Sequence, residues 1–216
     1  NQQGHKDLKQ VSNSLAFAIF MEIFRTDISF AATYLHQTGL VMDTILSCGS
    51  QEQIDYYVPR LNNYSLLGSF NLTEPEHGSD ATSLKTNAVK QGDHFIVNGH
   101  KRWAANVTVA DFFVIWATYE GQIRGFIIDA DSEGLTRSRI EGKLSFRPVQ
   151  NGEVVLKNVK VPLKNLLPRG ETFHKGTAKM LLSTRIGTGV AVTGGLLEAY
   201  DETVKYLSKR IQFGKP

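Results

Sequence analysis

Cysteine is almost missing from this chain: of 216 residues, only Cys48 carries a thiol. A lone thiol excludes an internal disulfide framework and fits a reducing compartment. Within its helical pattern, Cys48 reads as a small buried hydrophobe rather than a nucleophile. A charge excess is also missing. Lysine and arginine total 24 against 21 acidic residues, a net charge of +3. These charges are scattered, with no basic run interleaved with aromatics, so no nucleic-acid partner is expected. The six histidines lack metal-ligand spacing, so no metal is expected. His36, His77, His94, His100 and His174 read as surface or loop residues. No repeat, low-complexity stretch or signal peptide is visible. No apolar run approaches membrane-spanning length, so no membrane insertion is expected.

What is present fits a soluble globular protein, with 41% hydrophobic and 21% charged residues. The expected class is α+β: an N-terminal helical part (1–64), a central antiparallel β-domain (65–168) and the start of a C-terminal helical bundle (169–216). Residues 6–59 carry apolar positions at the helical period. Gly49 stops one helix, and Ser50 with Gln53 forms a capping box for another over 51–58, ended by Pro59. Beyond Leu66 come short β-branched and aromatic runs at 95–97, 112–116, 125–128 and 154–156. Turn signals separate them at 91–93, 98–99, 120–121, 133–134 and 151–152. Helical periodicity returns after Pro168 and predicts one long helix to about Gln212, with Glu198 and Glu202 on its solvated face. Gly187-Thr188-Gly189 and Gly194-Gly195 have no preceding strand, so close helix packing is expected there rather than a dinucleotide loop. The chain opens on Asn1 rather than methionine and stops just after a helical pattern, so it is expected to be a piece of a longer protein.

The most informative stretch is Phe70-Asn71-Leu72-Thr73-Glu74-Pro75-Glu76-His77-Gly78-Ser79-Asp80. An apolar strand leads into a loop in which proline fixes the turn and glycine permits close backbone approach to a ligand. It closely resembles the flavin-binding loop of the acyl-CoA dehydrogenase and acyl-CoA oxidase superfamily, on its glutaryl-CoA dehydrogenase and short-chain oxidase side. Lys101-Arg102-Trp103-Ala104-Ala105-Asn106 resembles a second family stretch, in which a tryptophan lies by the flavin. Arg210-Ile211-Gln212-Phe213-Gly214, expected at a helix end, resembles the motif that reaches the FAD of a neighbouring subunit. The resemblance covers roughly residues 25–216.

The resemblance implies a cofactor, FAD, and a reaction, α,β-dehydrogenation of a short or medium acyl-CoA to a trans-2-enoyl-CoA. Implied cofactor contacts are Phe70, Leu72, Thr73, Ser79, Trp103, Ala104, Ala105, Arg210 and Phe213. Ser79 and Arg185 are the implied substrate contacts. Implied partners are an acyl-CoA, further copies of the chain as a homotetramer, and electron-transfer flavoprotein or O2 as acceptor. The implied compartments are the mitochondrial matrix or the peroxisome, or the cytoplasm in a bacterium. No residue here is assigned as general base, and the catalytic glutamate is expected beyond residue 216. Two departures matter. Ala105 stands where the family pattern has a threonine hydroxyl bonding flavin N5, which keeps an oxidase as the alternative. Ala31 stands where the glutaryl-CoA branch has an arginine for the distal carboxylate, so a monocarboxylic substrate is expected. A catalytically incomplete flavin-binding fragment or flavin-binding interaction protein is the non-enzymatic alternative.

Overall fold

The computed structural model of the chain describes residues 12–215. The expected helix over residues 6–11 lies outside them. The chain divides into two compact units. One is Ala32–Thr184, and the other joins the N-terminal helical residues to those from Arg185 onward.

Helix α1 (Asn13–Thr26) ends at Asp27, whose extended backbone breaks the helical path. The Asp27 carboxylate then accepts the amides of Ser29 at 2.8 Å and Phe30 at 2.7 Å. That is a helix N-cap, and α2 (Ile28–Leu35) follows it. A π-helical segment, His36–Met42, continues directly into α3 (Asp43–Cys48). Gly49 ends α3, and Cys48 is buried. The capping box at Ser50 and Gln53 opens α4 (Gln51–Asn62). Contrary to expectation, Pro59 lies inside α4. It sits on the exposed face of the last turns, so its missing N–H removes one hydrogen bond without stopping the helix.

Seven strands follow: β1 (Gly68–Asn71), β2 (Asn87–Gln91), β3 (His94–Ala104), β4 (Phe112–Tyr119), β5 (Gln122–Asp129), β6 (Leu135–Arg139) and β7 (Gly152–Pro162). They form one sheet in the order β1-β4-β2-β3-β7-β6, with β5 on β4. The sheet is mixed rather than wholly antiparallel, because β1 runs parallel to β4 and β2 meets β4 in a parallel bridge. The turn signals at 91–93 and 120–121 close the hairpins β2–β3 and β4–β5. Asn98-Gly99 does not turn; it lies within β3 at a register shift. A side chain at Gly99 would put its Cβ 2.2 Å from Thr86 Oγ1, so the glycine serves close approach there.

Strand β4 is buried on both faces. Phe113, Ile115 and Ala117 join a core with Phe95, Val97, Phe126 and Val154. Phe112, Val114 and Trp116 join a second core with Val41, Ile45, Leu61 and Phe70. This second core fastens the helices to the end of β1, which places the candidate site.

Helix α5 (Lys179–Leu207) stops short of Gln212. Residues 212–215 form a tight turn in which Phe213 and Gly214 both take positive φ, 52° and 76°. A side chain at Gly194 would meet the Met21 carbonyl at 2.4 Å, so close helix packing accounts for Gly194. Glu198 is not simply solvated; it accepts from Arg25 Nε on α1 at 3.1 Å. The helical run His174–Leu207 is also long enough, and over an 18-residue window of mean hydropathy 1.3 apolar enough, to cross a membrane by length and composition alone. The expectation that no stretch reaches that length is corrected here. Leucine, isoleucine, valine and alanine in that window outweigh the glycines and threonines that interrupt them.

Candidate functional site

The end of β1 and the end of β3 are tied together. As β1 ends, its chain passes alongside β3, and Arg102 N donates to Thr73 O at 2.9 Å. Lys101 Nζ donates to Leu72 O at 3.0 Å and to Glu74 Oε1 at 2.9 Å. Asn106 Nδ2 donates to Gly68 O at 3.2 Å, and Ser69 Oγ to Ala105 O at 2.7 Å. Phe70, Leu72, Thr73, Trp103, Ala104 and Ala105 are therefore brought into one neighbourhood. Phe70, Leu72, Ala104 and Ala105 are buried. Trp103 is 51% exposed with a positive φ of 67°. A bulky residue held in the left-handed region is rare and clusters at functional sites. The Arg102 guanidinium lies 5.3 Å from the indole, and Asn151 Nδ2 donates to Trp103 O at 3.1 Å.

The buried ion pair beneath the loop escapes a search for ligand-contacting residues. Glu74 accepts from Lys101 Nζ, from the Thr86 amide at 2.8 Å and hydroxyl, and from the Lys85 amide at 2.6 Å. Burial alone would raise its carboxyl; the Lys101 ammonium and these hydrogen bonds outweigh that and hold it down at about 2. Burial in turn pulls the Lys101 ammonium down to about 8, against the pull of Glu74. A carboxylate so engaged is an anchor and a poor proton acceptor. The sequence does carry a signal for the pair: Phe95, Val97, Gly99 and Lys101 alternate along β3, which turns a lysine inward where an acid must meet it.

A second set of anchors comes from the π-helical segment. His36 is buried, not a surface residue, and its Nε2 accepts the Phe70 amide at 3.0 Å. Gln37 Oε1 accepts the Gly68 amide at 3.1 Å, while its Nε2 donates to Leu66 O at 2.8 Å. These two side chains satisfy the edge of β1 that, among the described residues, no strand covers. Burial lowers the His36 pKa to about 4, so the ring is neutral and able to accept.

The remaining expected site residues are Ser79, Arg185, Arg210 and Phe213. Ser79 is exposed on the loop that follows Pro75. Arg185 is exposed on α5. Arg210 and Phe213 fall beyond the end of α5 rather than on it, with Phe213 fully exposed and the Arg210 guanidinium on Tyr206. Arg185, Arg210 and Phe213 belong to the helical unit. Among the described residues no cluster of His, Cys, Asp or Glu could hold a metal ion.

The profile of the acyl-CoA dehydrogenase N-terminal domain matches residues 9–64, and that of the acyl-CoA dehydrogenase middle domain matches residues 69–159. The chain belongs to the acyl-CoA dehydrogenase family. It is 32% identical over 203 residues to the short/branched chain specific acyl-CoA dehydrogenase of Rattus norvegicus, covering 91% of this chain and 46% of that protein. A glutaryl-CoA dehydrogenase from Mycobacterium smegmatis, solved with FADH2, superposes with a TM-score of 0.91 at 33% identity, covering 95% of this chain and 53% of that one. A glutaryl-CoA dehydrogenase solved with glutaryl-CoA gives 0.88 at 31%, covering 94% and 52%. The chain thus spans about half the length of the acyl-CoA dehydrogenases it matches. The helical, β and helical order expected from the sequence is the order observed, corresponding to the N-terminal and middle domains of this acyl-CoA dehydrogenase family.

Proposed function

We propose that this chain is the flavin-holding part of an FAD-dependent acyl-CoA dehydrogenase, acting on a short or medium monocarboxylic acyl-CoA to form the trans-2-enoyl-CoA. The observation that carries the reading is the tie that sets Thr73 beside the half-exposed Trp103, with Arg102 N donating to Thr73 O at 2.9 Å. The half-exposed indole offers a surface for a flat ring, and the Thr73 hydroxyl and amide offer donors for its polar edge. This donor set fits an isoalloxazine. FAD, when bound, supplies the hydride acceptor for the substrate Cβ.

The chain's own contribution is position and electrostatics. Thr73 would donate to the pyrimidine edge, where negative charge grows on reduction. Residue 105 has no hydroxyl, so its backbone N–H would be the donor to N5, a loss of about 1 kcal/mol relative to two donors. Phe70 and Ala104 would line the site, and Ser79 and Arg185 would meet the acyl-CoA. Arg210 and Phe213 would serve the FAD of a second copy, since a guanidinium grips a pyrophosphate bidentately. Glu74 is excluded as the α-proton acceptor by its low pKa and its partners. Among the described residues no other carboxylate is assigned that role.

Ala31, buried in α2, supports the monocarboxylic substrate, because nothing at that position could pair a distal carboxylate. The test is to purify the full-length protein and look for bound FAD and for enoyl-CoA formed from butyryl-CoA with an artificial electron acceptor. Turnover of glutaryl-CoA as fast as butyryl-CoA would overturn the substrate assignment, and a protein that cannot take up FAD would overturn the whole reading. The missing hydroxyl at Ala105 favours an oxidase as the second reading. Stoichiometric hydrogen peroxide without added acceptor would decide for it.

A further inference from the structure

Ser69 and Asn71 project from the same face of β1 and are essentially fully buried. Ser69 Oγ donates its single proton to Ala105 O at 2.7 Å, so it can only accept from Asn71 Nδ2, 3.0 Å away. The same amide nitrogen donates to Ser69 O at 3.0 Å. This arithmetic fixes which way the Asn71 amide points, because both Ser69 oxygens need a donor from it. It also leaves Asn71 Oδ1 buried without a protein donor. Two polar side chains on a buried strand are costly unless the bond they make matters.

We infer that Ser69 and Asn71 are positioning residues that aim the backbone of Ala105. The inference rests on the proposed flavin site and deepens it. A threonine at position 105 could swing its hydroxyl to find N5, whereas an amide N–H has no rotamer and points where the backbone points. The segment must therefore be fixed from outside. Asn151 holds the carbonyl of Trp103 on one side, and Ser69, itself oriented by Asn71, holds the carbonyl of Ala105 on the other. Loss of the Ser69 bond frees residue 105 to turn, and the donor to N5 is lost with it. Oxidised FAD, whose N5 is purely an acceptor, loses more than reduced FAD.

The test compares dissociation constants of oxidised and reduced FAD for the full-length protein. Ser69→Ala should lower the preference for the oxidised form by about tenfold, which is about 30 mV for a two-electron couple. Ser69→Thr, which keeps the hydroxyl, should restore it. In an Ala105→Thr background, where a rotatable donor is available, Ser69→Ala should cost much less. A Ser69→Ala protein with full FAD occupancy and an unchanged preference overturns the inference, as does an equal loss in the Ala105→Thr background. Should Ser69→Ala fail to fold, Asn71→Ala reads the same tie from behind, and an unchanged preference there also overturns it. A wild-type protein that binds neither form of FAD overturns the functional reading itself; wild-type binding with silent Ser69 and Asn71 variants overturns the inference alone.

Discussion

Lys101 and Glu74 meet inside the β-containing unit with 0% and 5% of their side chains exposed. Arg25 meets Glu198 and Asp201 in the helical unit with 34%, 41% and 37% exposed. Both are ion pairs that join distant parts of the sequence, yet they teach different things. The buried pair closes a loop whose backbone must stay put: Lys101 holds Leu72 O, and Glu74 gathers two amides and a hydroxyl. The exposed cluster joins two helices that already pack through Gly194. Charge acts as a fastener of loop backbone in the first unit and as a trim on a helix pair in the second.

The strongest way to break this contrast is to remove one partner of the buried pair. Lys101→Met leaves Glu74 buried without its counter-charge and should destabilise the protein by about 3–5 kcal/mol in chemical denaturation. Lys101→Met with Glu74→Leu should recover much of that, because no charge is then left unpaired. If the double variant is as unstable as the single, Glu74 matters for its amide contacts rather than for Lys101.

Acid should sharpen the contrast next, since the buried titrating anchors lie in the β-containing unit. The folded pKa of His36 is about 4 against an ordinary 6.5, because the buried ring resists a charge. The unfolded chain therefore binds a proton that the folded chain refuses. Stability is full above pH ~6.5 and falls as pH drops towards ~4, by up to about 3 kcal/mol. Glu74, held at about 2, adds a second loss as pH falls below its ordinary value of 4.5. His36→Gln keeps an acceptor for the Phe70 amide and removes the titration. Denaturation at several pH values should show the upper slope gone and the lower one retained; an unchanged upper slope would exonerate His36.

Much of this arrangement can be read from residue order. The apolar run 112–116 announces a strand buried on two faces, and the capping box at Ser50 and Gln53 is local chemistry that survives into the fold. The inward side chain of Lys101 also follows from the alternation along β3. Other features are tertiary. The stretch 36–42 has ordinary helical composition, and nothing local marks the π-helical segment that brings His36 and Gln37 to bear on β1. The lone His36 has no period of its own, so its burial is invisible until β1 supplies a donor. The left-handed backbone of Trp103 is imposed by its neighbours, not by its own preference. Within the candidate site the residues of the loop are legible as a motif; of the anchors beneath them Lys101 shows in the alternation along β3, whereas His36 and Gln37 are legible only once partners are known.

A smaller effect is expected at Gly99. A Cβ there would press on the Thr86 side chain, 2.2 Å from its Oγ1, and push that hydroxyl off Glu74. Gly99→Ala should cost about 1–3 kcal/mol, the range for overpacking a filled site. Combining it with Thr86→Ser, which trims the methyl group, should recover part of the loss.

The least effect should come from the helical unit. Arg25→Met removes the pairs with Glu198 and Asp201 but leaves the apolar stem and the Gly194 approach in place. Exposed pairs gain little because water already solvates both charges. The melting temperature should therefore move less than in any variant above. The difference from wild type should shrink further as salt approaches ~0.5 M, where screening acts over distances shorter than about 10 Å. A large, salt-independent loss would mean that the Arg25 cluster is as desolvated in the working protein as Lys101 and Glu74 are here, and the distinction between the two units would fail.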